Sequence, residues 1–285
     1  MFLVRVIDMV YADLHVHTTA SDGLLSLDEI IEEAKHKDIS VVGITDHDTI
    51  NPGLVEREET IDGVGIVTGT EVKTEHMGTR IEILCYFVDP EDNELEEIFE
   101  NMRRRRIERM KKMVERFNEL EETVLRLREV EELADGPVGR PHFAMAVANK
   151  GLAKDTREAF DNYAKEHTPY YVPLERPDVK KVIRRAKRSG AFTSLAHPCT
   201  EDIEDFETFL ESLAELGLDG CEVNYPYRES PKDMELDPKK VEETVEKVGL
   251  VKTGGSDFHD RKDFTLGSGG VGKKTLEKMR NSVEL

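Results

Sequence analysis

The chain has 285 residues, with 60 acidic side chains against 40 basic ones, a formal charge of −20, a pI near 4.9 and no tryptophan. That length suits one large domain, or one domain carrying an insertion. Charge of this sign argues against a protein that coats duplex nucleic acid, because counterion release needs a broad basic surface. A small anionic substrate stays compatible if metal ions or a few local arginines supply positive charge, and the acidity also fits a surface kept hydrated at high salt.

The N-terminal run MFLVRVIDMV carries Arg5 and Asp8 and lacks the apolar core and small-residue cleavage site of a signal peptide. No stretch approaches the roughly 18 consecutive apolar residues of a membrane span, so a cytoplasmic protein without membrane contact is expected. Cys85, Cys199 and Cys221 are odd in number, widely spaced and set in or beside apolar runs, as reduced core thiols are.

Along the chain, short β-branched runs alternate with stretches of helical period, the pattern of an α/β protein with a mainly parallel sheet. Strands are expected at 11–17, 40–45, 65–72, 81–88, 191–196, 220–224 and 250–254. A capping box at Ser26-Leu27-Asp28-Glu29 precedes the apolar helix positions Ile30, Ile31 and Ala34. Pro177 and Pro238 mark first helical turns, while Gly190, Gly217 and Gly249 follow helical runs. Seven strands alternating with helices point to a barrel more than a flat sheet.

The rhythm breaks between 92 and 165, which reads as three helices: one from 93 to about 127, one starting at Pro141, and one over 155–165. The expected division is therefore barrel at 1–91, a helical insertion at 92–165, and barrel again at 166–285. Arg103 to Arg106 lie within the first of these helices, where consecutive side chains point around the cylinder. They read as a solvated face paired with nearby Glu, or as a basic lip over an anionic substrate.

Of the nine histidines, His15, His17, His47, His197 and His259 stand at or just beyond the C-terminal end of an expected strand. In parallel α/β folds that edge is where active sites assemble. His15-Val16-His17 on a strand sends both imidazoles to one face, close enough to hold one metal. Ser21-Asp22-Gly23, Thr45-Asp46-His47-Asp48, Gly69-Thr70-Glu71, Ala196-His197-Pro198 and Gly255-Ser256-Asp257-Phe258-His259 add acids and imidazoles at further turns and strand ends. Any one acid among them could be a cap or turn residue. Together, His and carboxylate ligands without cysteine imply a cluster of hard or borderline divalent cations. Such cations generate a hydroxide at neutral pH and neutralise charge on a phosphoryl group.

These motifs, with Asp13-Leu14-His15-Val16-His17-Thr18, Ile44-Thr45-Asp46-His47-Asp48-Thr49 and Gly139-Arg140-Pro141-His142, resemble the PHP (polymerase and histidinol phosphatase) family of metal-dependent phosphoesterases. The Gly-Arg-Pro-His element on a helical insertion most resembles the branch of the nucleoside 3′,5′-bisphosphate phosphatase and 5′-to-3′ ribonuclease of bacteria. The resemblance implies a distorted seven-stranded (β/α) barrel with a trinuclear site loaded with manganese, iron or zinc.

It also implies that His15, His17, Glu71 and Asp257 hold the first metal, and that Glu71 bridges to a second held by His197. Asp22, His47 and His259 would hold the third. Asp46 would orient a ligand imidazole, and Arg140 would grip a phosphate bidentately. His142 would touch the same phosphate or donate a proton, or simply start a helix. Where the branch carries a His in the strand after Glu71, this chain has Glu82, with Cys85 in place of a usual Gly. An oxygen ligand there favours Mn2+ over Zn2+ or Fe2+ and leaves the count at two or three ions.

The implied activity is hydrolysis of a phosphomonoester, with the 3′-phosphate of a nucleoside 3′,5′-bisphosphate as the first choice and 5′-to-3′ trimming of short oligonucleotides as the alternative. Histidinol phosphate phosphatase leaves Arg140 and the insertion without a use. An amidohydrolase-type barrel leaves Asp22, His47 and His259 unexplained, and a ligand-binding module would keep the metal ligands without turnover.

Overall fold

The computed structural model describes residues 10–91, 93–134, 136–227, 234–260 and 264–283; the N-terminal run with Arg5 and Asp8, and position 92 at the expected boundary, lie outside the described residues. Contacts divide the chain into two compact units, one made of residues up to Ile98 and from Pro177 onward, the other of Phe99–Arg176.

The first unit opens with β1 (Ala12–Val16), α1 (Leu27–His36), β2 (Val41–Ile44), β3 (Glu58–Ile61), β4 (Val64–His76) and β5 (Thr79–Tyr86). Ser26 and Glu29 cap α1 reciprocally, as expected, and Ile30, Ile31 and Ala34 are its buried face. β1 pairs with β2 and β2 with β4 in parallel, but β3–β4 and β4–β5 are antiparallel. The mainly parallel expectation fails here because two Xaa-Gly turns reverse the chain. Asp62-Gly63 and Met77-Gly78 each place both residues at positive φ, 50° and 88° in the first and 49° and 81° in the second, as two-residue hairpin turns require. β3 is an unexpected strand, and its Asp-Gly turn was the signal for it.

The next elements are α2 (Asn93–Leu120), α3 (Leu127–Glu131), α4 (Arg140–Asn149) and α5 (Thr156–Ala159), the last running into a π-helical turn over Phe160–Ala164. α2 stops short of the expected 127 because the Asn118 amide donates to the Leu125 carbonyl at 2.9 Å and accepts the Leu125 N–H at 2.8 Å, folding the chain back. Within the second unit Met110, Met113, Phe117, Phe143 and Val147 form a dry core, with Phe117 edge-on to Phe143.

Returning to the first unit, the chain forms α6 (Val179–Arg188), β6 (Phe192–Leu195), α7 (Phe206–Glu215), β7 (Gly220–Asn224), α8 (Pro238–Val248), β8 (Val251–Gly254) and α9 (Lys273–Arg280). Asp178 caps α6, so Pro177 sits one residue before the cap and not in the first turn, whereas Pro238 is the first residue of α8. Strand order is β1-β2-β4-β5-β6-β7-β8, with β3 beside β4. Beyond β8, His17 donates its N–H to the Phe258 carbonyl at 3.0 Å, which ties the last strand's continuation back to β1 in the sense a barrel needs. Among the described residues no helix is long and apolar enough to cross a membrane. All three cysteines are free and buried, and burial pushes the Cys85 thiol up to about 12 and that of Cys199 to about 11, which makes them inert core thiols.

Candidate metal centre

The parallel strands bring their C-terminal ends to one edge. His15 lies near the end of β1 and His17 just past it, Glu71 lies in β4 and Glu82 in β5, while His47, His197, Asp257 and His259 follow β2, β6 and β8. Close approach is possible because position 255 is glycine: a Cβ there would meet the His15 backbone nitrogen at 2.4 Å. His197 (φ 23°) and Asp257 (φ 54°) hold strained backbone, which is common where a scaffold over-determines functional side chains.

Nine expected residues converge into four overlapping groups: His15, His17 and Asp257; His15, Glu71 and His197; His17, Asp22, His47 and His259; and His47, Glu71 and Glu82. In each group one donor atom per residue lies within 4.8 Å of the others. Glu71 is the hub, with His197 Nε2 at 3.0 Å, His15 Nε2 at 3.4 Å, His17 Nε2 at 3.5 Å and His47 Nδ1 at 2.8 Å from its oxygens. Asp257 Oδ1 lies 3.4 Å from His15 and 3.3 Å from His17, and Asp22 lies 3.1 Å from His259. Glu82 lies 3.2 Å from His197 and 3.4 Å from Lys73.

The donor chemistry fits cations better than a network of shared protons. Among the described residues His15 Nε2, both ring nitrogens of His17, His47 Nδ1 and Glu71 Oε2 are buried without a hydrogen-bond partner. Even the 2.8 Å approach of His47 to Glu71 lacks hydrogen-bond geometry. Buried polar atoms in this number are rarely left unsatisfied, and lone pairs aimed at a common point are what a divalent cation requires.

The titration behaviour is correspondingly divided. Burial, with His259 and His47 nearby, lowers His17 to about 4. Burial also acts to lower His15, but Glu222, Glu71 and Asp257 win and raise it well above the usual imidazole range. For Asp257, Glu71 and Asp22, burial acts upward and the surrounding imidazoles outweigh it, holding all three below the usual carboxylate range.

Asp46 departs from expectation. Its oxygens accept from the Thr18 N–H at 2.8 Å, the Thr18 hydroxyl at 2.7 Å and the Ser21 hydroxyl at 2.6 Å, so it braces the loop that carries Asp22 and orients no imidazole. The imidazole partner is Glu222, which sequence reasoning missed, as it missed Asp13 and Tyr225. The Tyr225 hydroxyl donates to Asp257 at 3.0 Å. Asp13 accepts from the Ser256 N–H at 2.8 Å and the Gly267 N–H at 2.7 Å, and burial raises it to about 6 despite these donors.

In the second unit, His142 Nδ1 accepts the Gly139 N–H at 3.0 Å, giving this histidine a helix-start role. The Arg140 guanidinium lies over the rings of Phe160 and Tyr171, at 5.4 and 5.7 Å from their centres.

A model of the PHP domain matches residues 13–175. A 5′-3′ exoribonuclease of Haemophilus influenzae is 31% identical over 190 residues, 65% of this chain and 68% of that protein. The chain spans about two thirds of the length of the exoribonucleases it matches. A 3′,5′-nucleoside bisphosphate phosphatase of Chromobacterium violaceum is 27% identical over 259 residues, 88% of each chain. In fold, the chain superposes on a proposed metal-dependent phosphoesterase from Bifidobacterium adolescentis with a TM-score of 0.75 at 24% identity, covering 95% of this chain and 96% of the other. With the domain model spanning more than half of its residues, the chain belongs to the PHP domain family.

Proposed function

We propose that this PHP-family phosphoesterase removes the 3′-phosphate of a nucleoside 3′,5′-bisphosphate, using divalent cations held by His15, His17, Asp22, His47, Glu71, Glu82, His197, Asp257 and His259. The observation that carries the reading is the set of four overlapping donor groups, two of which share Glu71. Cations bound there supply Lewis-acid stabilisation of phosphoryl charge and a water of lowered pKa. The chain's own residues keep the donors in register, with Asp46 bracing the Asp22 loop and Tyr225 holding Asp257. Oxygen donation from Glu82 favours Mn2+ over Zn2+ or Fe2+, with two or three ions per chain.

Arg140 is our candidate for gripping the phosphate that is not cleaved. Two aromatic rings hold its guanidinium, and its planar fork matches phosphate oxygens. Similarity to the Chromobacterium violaceum phosphatase along 88% of both chains supports a small nucleotide substrate. Similarity to the exoribonucleases supports a second reading, 5′-to-3′ trimming of short oligonucleotides with the same centre. Neither reading calls on duplex DNA or a membrane, and three free thiols fit the reducing cytoplasm.

Purified protein supplied with Mn2+ releases inorganic phosphate from adenosine 3′,5′-bisphosphate on this reading. No release across a panel of metals and phosphoesters would refute it. Turnover that rises with the length of short RNA oligomers would favour the exonuclease.

A further inference from the structure

Glu222, in β7, is a fully buried carboxylate that none of the four donor groups includes. Both of its oxygens lie 3.2 Å from His15 Nδ1, and Oε2 also accepts the His197 backbone N–H at 2.9 Å. No Lys or Arg pairs with it among the described residues. A buried carboxylate is costly to desolvate, its charge partner here is the imidazole of His15, and apolar packing would replace the pair without loss if its only task were to fill space.

The far sides of the same two histidines face the donor cluster. His15 Nε2 lies 3.4 Å from both Glu71 and Asp257, and His197 Nε2 lies 3.0 Å from Glu71 and 3.2 Å from Glu82. An imidazole that donates through Nδ1 to a carboxylate keeps its Nε2 lone pair outward, the form a metal needs. At His197 the same carboxylate pins the N–H of a residue whose φ is 23°, so it holds the strained turn that aims this ring.

We infer that Glu222 is a positioning residue that fixes His15 in its Nδ1–H form and His197 in its turn, preorganising two donor groups at once. The inference rests on the metal-dependent reading above and adds the residue that makes the donors competent. The neighbouring buried acid Asp13 cannot take this role: its acceptors are spent on Ser256 and Gly267, and its only contact with His15 is the backbone N–H at 3.4 Å.

The test is titration of the metal-free protein with Mn2+ by calorimetry, wild type against Glu222→Gln, with melting temperatures of both metal-free proteins. The amide removes the charge that favours a protonated Nδ1 and puts an NH2 where one oxygen faced His15, so Mn2+ affinity should fall roughly 10- to 100-fold. Both metal-free proteins should melt in one cooperative transition, which shows that the fold survives the exchange. Unchanged affinity in the folded variant overturns the inference. If the variant does not fold, 15N spectra of the wild type decide. His15 should carry its proton on Nδ1 both without metal and with Zn2+, and an unprotonated Nδ1 overturns the inference. Wild-type protein that binds no Mn2+ at all would instead remove the metal-dependent reading, while the spectra of the metal-free protein would still decide the role of Glu222.

Discussion

Glu71→Gln is the most informative single substitution, because it keeps the volume of the hub residue and removes its charge. Glu71 is fully buried and belongs to two of the four donor groups, one with His15 and His197 and one with His47 and Glu82. A hydrogen bond or ligand contact involving a charged group contributes about 1.5–3 kcal/mol. Weakening one such contact in each of two groups therefore costs about 3–6 kcal/mol, or roughly 10²- to 10⁴-fold in kcat/KM at about 1.36 kcal/mol per decade. The assay is phosphate release from adenosine 3′,5′-bisphosphate at saturating Mn2+, with bound manganese counted by elemental analysis. The fold should survive, since the strand pairing of β4 on both sides is unaffected, and far-UV circular dichroism checks this. A loss below about tenfold with unchanged manganese content would mean that the cluster around Glu71 is not where the ester is cleaved.

Three further outcomes are expected. Glu82→His exchanges an oxygen donor for a nitrogen and should shift metal preference from Mn2+ toward Zn2+; an unchanged order of activation would place Glu82 outside the donor set. Arg140→Lys keeps the charge but loses the planar fork, so turnover of a doubly phosphorylated nucleotide should fall roughly 10- to 100-fold while a singly phosphorylated one changes much less. Equal losses on both substrates would count against the bisphosphate assignment. Removing Mn2+ with a chelator should lower the melting temperature by roughly 5–10 °C, from about 2.7 kcal/mol of linkage at 100 times Kd and about 2–4 °C per kcal/mol; coincident melting curves would show that no cation is bound by the folded chain.

Most of the cluster was legible because its information is local. His15 near the end of β1 and His17 just past it stand two apart, and Asp257 and His259 repeat the spacing just beyond β8, so the sequence pattern alone marked each pair as neighbours at a strand end. What stayed hidden depends on pairing across the sheet. Two antiparallel hairpins replace parallel crossovers around β4, and the deciding residues are short Xaa-Gly turns inside runs otherwise rich in strand formers. Glu222 sits between Cys221 and Val223 and reads as an alternating strand position. A signal was nevertheless present, since β7 runs parallel to both its neighbours and a strand covered on both faces ought to be apolar throughout. Asp46 illustrates the opposite difficulty: the motif containing it was recognisable, but only the fold tells that its side chain turns into the β1–α1 loop toward Thr18 and Ser21.

The acidity of the chain and the chemistry proposed for it meet at the same carboxylates. Asp22, Glu71, Glu82 and Asp257 bring four negative charges to the site, within a protein whose formal charge is −20. Without cations, such a site repels a phosphate dianion both at contact and, at low salt, across the surface. Two divalent ions would neutralise these four carboxylates, the Lys73 ammonium beside Glu82 would offset Glu222 behind His15, and a third ion would leave net positive charge for the phosphoryl oxygens. On the proposed reading metal loading would reverse the local field, so the loaded protein should bind a phosphate analogue more tightly than the metal-free one. On the same reading, a net charge of −20 would oppose long polyanions along their whole length, whereas a mononucleotide or a short oligomer would need only the few ångströms over which a loaded site is attractive.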